Sequence, residues 1–377
     1  MFINGKWVQA EQGRTFDVFN PADGDVIDRV PDASEGDIEK AINAASDAFP
    51  AWSGMSAYKR SGYLYRVWEL MMAGKDQLAR TMTIEQGKPL RAALNEVQYG
   101  ADFLLWFAEE AKRIYGRTVP SARPDQRFMV IKQPVGVVGA ITPWNYPVSM
   151  ITRKLAPALA AGCTTVLKPA EATPLCAVEM VKLFEKAGLP DGVVNLITKL
   201  DPKPVGEAFT THPAIRKLTF TGSTRVGKQL AAKAAGSMKK ISLELGGHAP
   251  FIVMDDADPV HAAKGAVLVK FLNTGQACIS PNRIYLPHSM VDDFTGEFVK
   301  RVNAMKAGNG LEATVRIGPL VGPEAVEKVE NQVKDALEKG ATLLTGGERL
   351  TENGLDKGYF YAPTVLSNVT PDMLIYR

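Results

Sequence analysis

Val135-Gly136-Val137-Val138-Gly139-Ala140-Ile141-Thr142-Pro143-Trp144-Asn145-Tyr146-Pro147 is the stretch on which the fold turns. An apolar, β-rich run ends at Ile141 in a turn stiffened by two prolines, and the helical pattern Val148–Ala161 follows. The alternation then repeats. Apolar runs at Thr164–Lys168, Val193–Ile197, Lys217–Thr221 and Lys240–Leu245 are separated by helical runs at Pro174–Gly188, Pro204–Thr211 and Val226–Gly236. Strands alternating with helices predict a doubly wound parallel sheet. Ligands of such sheets sit at the carboxyl ends of the strands.

Working outward, residues 36 to 115 read as helical, and Leu90 to Ile114 is a long amphipathic stretch with Phe103 and Phe107 on one face. Met1 to Val8 reads as a hairpin turning at Asn4-Gly5. Residues 116–133 carry prolines and the strand-like Arg127–Lys132; either a self-associating arm or a plain surface hairpin fits them. After Gly246-Gly247 a second series begins: strand Phe251–Met254, helix Pro259–Leu272, strand Arg283–Leu286, and helices Ser289–Ala307 and Glu324–Gly340. The expected division is 1–115 with 134–245 as a cofactor domain, 116–133 as the arm, and 246–377 as a second α/β domain. The crevice between the halves is the expected site.

Composition narrows the function. Of 377 residues, 46% are apolar and 23% charged, and the net charge of +3 is spread along the chain, so neither nucleic acid nor an acidic membrane is implied. No apolar run reaches the length of a bilayer span, and the start does not resemble a secretory signal. Three cysteines do not make a disulfide framework, so a cytoplasmic location is expected. Four histidines without ligand spacing make a metal site improbable.

The strand ends then supply candidate chemistry. Asn145 offers a rigid amide, a good donor to an oxyanion; alone it would be read as satisfying its own turn. Lys168-Pro169-Ala170-Glu171 can hold ribose hydroxyls, although a surface ion pair is the plainer reading. Thr221-Gly222-Ser223-Thr224 is a glycine turn into a helix start, where backbone N–H groups suit a pyrophosphate; packing also asks for glycine there. Glu244 is a strand-end carboxylate beside Leu245 and two glycines. Cys278 sits in a loop, whereas Cys163 and Cys176 read as buried and inert. A thiol becomes a nucleophile when its pKa is depressed or a base lies near.

Pro143-Trp144-Asn145, Lys168-Pro169-Ala170-Glu171, Phe220-Thr221-Gly222-Ser223, Glu244-Leu245-Gly246-Gly247, Gly275-Gln276-Ala277-Cys278 and Glu85-Gln86-Gly87-Lys88-Pro89 together resemble the NAD(P)-dependent aldehyde dehydrogenase family. The resemblance implies that Cys278 is the nucleophile and passes through a thioester. It makes Asn145 and the Cys278 N–H the oxyanion hole, Glu244 the general base and Lys154 a proton-relay lysine. It places Ile141, Thr142, Trp144, Lys168, Glu171, Gly206, Gly222, Ser223 and Leu245 around a dinucleotide, with NAD favoured over NADP. It also implies a homodimer or homotetramer.

Within the family, Met150-Ile151-Thr152-Arg153-Lys154 is most similar to the succinate-semialdehyde dehydrogenase group and implies that Arg153 binds the substrate carboxylate. Two positions depart from that group: Leu272 where a second arginine is frequent, and Ser280 where some members have a cysteine. Lactaldehyde and glycolaldehyde therefore stand as alternative substrates. The family continues past Arg377 into Glu-Glu-x-Phe-Gly-Pro, so a C-terminally truncated chain is also an expectation. A catalytically impaired dinucleotide-binding relative and a cofactor-free thiol esterase are the competing functions.

Overall fold

At the amino end, β1 (Phe2–Ile3) and β2 (Lys6–Trp7) form the hairpin, with Phe2 opposite Trp7. Asn4 and Gly5 take φ of 50° and 74°, the left-handed pair that a tight hairpin turn requires. The structure is a computed structural model and describes residues 1–377. The chain divides into two compact units, the first holding residues 1–18, 28–78 and 95–245, the second 19–27, 79–94 and 246–377. Residues 19–27 and 79–94 thus group with 246–377, and main-chain bonds tie them there: Leu90 N donates to Gly310 O at 2.8 Å, and Tyr359 N to Pro21 O at 3.0 Å.

After β3 (Thr15–Phe19) and β4 (Val26–Pro31), which pair with each other, four helices follow. Helix α1 (Glu35–Gly54) opens on a capping box between Ser34 and Asp37, and α2 (Ala57–Ala73) on Ser56. Helices α3 (Lys75–Gln86) and α4 (Leu90–Glu110) complete the run. Antiparallel β5 (Arg117–Pro120) and β6 (Arg127–Val130) then form a hairpin whose strand residues are all exposed.

The alternating region is β7 (Val137–Ile141), α5 (Ser149–Ala160), β8 (Thr164–Lys168), α6 (Pro174–Lys186), β9 (Val194–Leu196), α7 (Lys203–Thr211), β10 (Ile215–Gly222), α8 (Thr224–Ala235) and β11 (Lys240–Leu245). The sheet order is β11-β10-β7-β8-β9-β1-β2, with the first five strands parallel. Helices α1, α7 and α8 pack as one layer and α2, α5 and α6 as the other, which makes the sheet doubly wound. Strands β7, β8 and β9 are almost wholly buried, as strands covered on both faces must be. Gly139 is dictated by this packing: a Cβ there would lie 2.6 Å from the Phe209 ring of α7. Between β9 and β10 the chain crosses to the far side of β7, so the strand order reverses at β7 and β10.

In the second unit, β12 (Phe251–Ile252) runs parallel to β13 (Ile284–Tyr285), each shorter than expected. Helix α9 (Pro259–Lys270), capped by Asp258, packs on α10 (Val291–Asn303) around Val253, Ala263, Val267, Phe294 and Phe298. Helix α11 (Pro323–Glu338) follows, then β14 (Thr342–Thr345), antiparallel to β15 (Val365–Ser367). No helix of the chain is long and apolar enough to cross a membrane.

Candidate active site

In the first unit, sheet register gathers the strand-end residues. Ile141 pairs with Lys168 on one side and Phe220 on the other; Thr221 pairs with Glu244, and Gly222 with Leu245. Ile141, Lys168, Gly222, Glu244 and Leu245 therefore share one edge, at the switch point of the strand order. Just beyond it, Thr142 is anchored by its N–H to Lys168 O at 3.1 Å. The Thr142 and Thr221 hydroxyls are both buried there without a hydrogen-bond partner, which a bound polar ligand would correct.

The Lys168 ammonium is buried and bonded to the Glu171 carboxylate. Burial pushes its pKa down and Glu171 pulls it back up. Ser223 caps α8 by accepting from Val226 N at 3.3 Å, leaving the first turn of a twelve-residue helix facing the strand edge. Gly222 has no room for a side chain, since a Cβ would stand 2.5 Å from the Phe220 ring. Leu245 packs over Gly227 of α8. Gly206 lies buried within α7, and a Cβ there would meet Leu230 of α8 at 3.3 Å, so its smallness serves helix packing.

Half-buried Trp144 and Asn145 lie in the bend between β7 and α5. What holds that bend was not legible in the sequence. Buried Glu96 on α4 accepts from Val148 N at 3.0 Å and Ser149 N at 3.1 Å, a carboxylate capping the start of α5. One turn later, Lys154 donates to Thr219 Oγ1 of β10 at 3.1 Å. Burial lowers the Lys154 pKa to about 8, against the pull of the Glu244 charge. Arg153 is exposed, and its guanidinium lies 5.7 Å from the centre of the Phe103 ring.

In the second unit, Cys278 is exposed while Cys163 and Cys176 are buried. Its loop leaves α9 through a 3-10 turn, Leu272–Gly275, in which Asn273, Thr274 and Gly275 have φ of 50°, 60° and 79°. A β-branched residue in the left-handed region is strained, so neighbours must hold it. Thr274 Oγ1 accepts from Gly318 N at 2.9 Å, Gln276 Oε1 from Val321 N at 3.0 Å, and Ser280 Oγ donates to Lys270 O at 2.8 Å. Behind Gly318 stands the Glu85–Pro89 motif. A Cβ on Gly318 would lie 2.0 Å from Gly87 O. Half-buried Leu272 adds no charge to the loop.

A reversing parallel sheet, orphaned hydroxyls at the reversal, a capped helix start and a buried lysine paired with a half-exposed glutamate mark an α/β protein of the doubly wound class, and these residues fit a dinucleotide. Comparison with known proteins gives the rest. The profile of the Aldehyde dehydrogenase family matches residues 7–377, and the chain belongs to that family. It is an NAD(P)-dependent oxidoreductase acting on aldehydes. It is 49% identical over 376 residues to a glutarate-semialdehyde dehydrogenase of Pseudomonas aeruginosa, covering 100% of this chain and 77% of the relative. It is 49% identical over 367 residues to the succinate-semialdehyde dehydrogenase (NADP(+)) of Escherichia coli, covering 97% and 75%. The crystal structure of a succinate-semialdehyde dehydrogenase from Burkholderia pseudomallei superposes with a TM-score of 0.96 at 46% identity, covering 99% and 76%.

Proposed function

We propose that this chain oxidises a semialdehyde, a short aldehyde ending in a carboxylate, through a covalent thioester on Cys278. The observation that carries the reading is Cys278 itself, an exposed thiol on a strained loop held by Thr274, Gln276 and Ser280. The names of its relatives, glutarate- and succinate-semialdehyde dehydrogenases, support the substrate class.

The Cys278 thiolate adds to the aldehyde carbon and makes a C–S bond, while the carbonyl electrons move to oxygen. Asn145 and the Cys278 N–H donate to that oxyanion. A bound dinucleotide would supply the hydride acceptor, and loss of hydride from that carbon, with the oxygen lone pair restoring the carbonyl, would leave the thioester on Cys278. Glu244 takes a proton from water, which attacks the thioester carbon and releases the acid and the thiolate. Lys154, with its pKa held near 8, exchanges protons with Glu244. Lys168 and Glu171 would hold the adenosine ribose, and Glu171 would repel a 2′-phosphate, which favours NAD over NADP. Ile141, Thr142, Trp144 and Leu245 would line a bound cofactor, Gly222 and Ser223 would hold its pyrophosphate, and Gly206, besides packing α7 on α8, would leave room for the adenine. Arg153 binds the distal carboxylate with a guanidinium fork.

The test is formation of reduced nicotinamide from succinate or glutarate semialdehyde by the purified chain. Cys278→Ala should abolish it, and Asn145→Ala should lower the rate ~100–1,000-fold. Turnover surviving Cys278→Ala would overturn the mechanism. Glu171→Gln should raise kcat/KM for NADP relative to NAD; an unchanged ratio would remove Glu171 from cofactor selection.

A further inference from the structure

Arg153 is a charged side chain without a charged partner. It stands exposed on the second turn of α5. None of the ion pairs in the chain includes it. Its close neighbour is instead aromatic. The guanidinium carbon lies 5.7 Å from the Phe103 ring centre, and Phe103 is met edge-on by Tyr99, one turn earlier on α4, with ring centres 4.9 Å apart and planes at 69°.

The choice of partner matters physically. A carboxylate would neutralise Arg153 and occupy part of its N–H fork. A ring face attracts the cation through its quadrupole and leaves both the charge and the N–H edge available. A planar guanidinium has five N–H donors around its rim, and a bidentate oxyanion needs two of them. Edge-on contact with Tyr99 limits how far Phe103 can turn, and so how far the cation can wander.

We propose that Phe103, braced by Tyr99, is a positioning residue that gives this chain its preference for aldehydes ending in an anion, by holding the Arg153 fork unspent and in place. The inference rests on the reading of Arg153 as the residue that binds the substrate carboxylate. Phe103 acts only through Arg153, so its loss affects an anionic tail and spares an uncharged one. A merely structural role would affect both alike.

The experiment compares the wild-type chain with Phe103→Leu, Phe103→Trp and Arg153→Met on glutarate semialdehyde and on pentanal, an uncharged aldehyde with the same number of carbons. Calorimetric binding of glutarate gives a readout independent of turnover. Phe103→Leu should raise KM for the semialdehyde and weaken glutarate binding about two- to fivefold, with kcat and the KM for pentanal unchanged. Phe103→Trp should keep the wild-type preference. Arg153→Met should raise KM for the semialdehyde about tenfold or more, and KM for pentanal far less. If Arg153→Met discriminates but Phe103→Leu changes both substrates equally, or neither, the aromatic seat is wrong and Arg153 stands. If Arg153→Met fails to discriminate, the carboxylate reading itself falls and the inference with it.

Discussion

Lys154 carries its charge at a cost. An ammonium taken out of water is disfavoured, and its pKa falls from the ordinary 10.5 to about 8. A lowered lysine pKa means that the unfolded chain holds the proton more tightly than the folded one. Between about pH 8 and 10.5 the unfolded state is protonated and the folded state is not, so folding becomes more favourable as pH rises through that window. Below it both states are protonated and the penalty is constant. Lys270, also lowered to about 8 by burial, adds a slope of the same sign. Urea unfolding of wild type and Lys154→Met at pH 7.5, 9 and 10 isolates the first lysine. Wild type should gain about 1–3 kcal/mol on the variant across the window. Parallel curves would show that Lys154 titrates normally.

At the scale of elements, two supports decide where the candidate reactive groups stand. Glu96 caps α5 from the neighbouring helix α4, and so fixes the bend that carries Asn145. Glu96→Ala should cost about 1–3 kcal/mol of stability, because it strips acceptors from buried N–H groups. It should also lower kcat; a variant with wild-type stability would show that water or the helix itself satisfies those donors. The second support is the approach of Gly318 to Gly87. Gly318→Ala forces a Cβ against a carbonyl oxygen and should cost about 1–3 kcal/mol, read by denaturant midpoint. Because Gly318 N also holds Thr274, the same variant should change the alkylation rate of Cys278. An unaltered rate would mean that the loop keeps its shape without this strut.

At the scale of the whole molecule, the β5–β6 hairpin stands out. Val119, Phe128, Met129, Val130 and the following Ile131 are all exposed, an apolar surface that an isolated chain leaves in water. Pairing with a second copy would cover it, in keeping with the homodimer or homotetramer that the family resemblance implies. The double variant Phe128→Ser, Met129→Asp should then elute as a smaller species than wild type in size-exclusion chromatography with light scattering. Equal masses would make the hairpin a surface feature only.

Local pattern was enough for the doubly wound sheet, since burial on both faces writes a continuous apolar run such as Val137–Ile141 into the chain, and β-branched residues such as Thr164, Thr165 and Val166 into its neighbour. It was enough as well for Asn4-Gly5, whose left-handed pair demands those residue types. The motifs marked Cys278, Glu244, Asn145 and Lys168 as candidates, because reactive groups and close approaches restrict which residues can stand there. What the sequence left undecided depends on partners remote along the chain. β14 and β15 are short strands held by pairing across some twenty intervening residues. The membership of 79–94 in the second unit rests on contacts with Gly310 and Gly318. Glu96 at the start of α5, Thr219 on the Lys154 ammonium, and Phe103 under Arg153 have no local signature, for a helix face shows that it packs but not on what. The sequence determined which groups can react; tertiary structure decided which residues hold them, because hydrogen bonds, burial and ring contacts depend on distance in space and not along the chain.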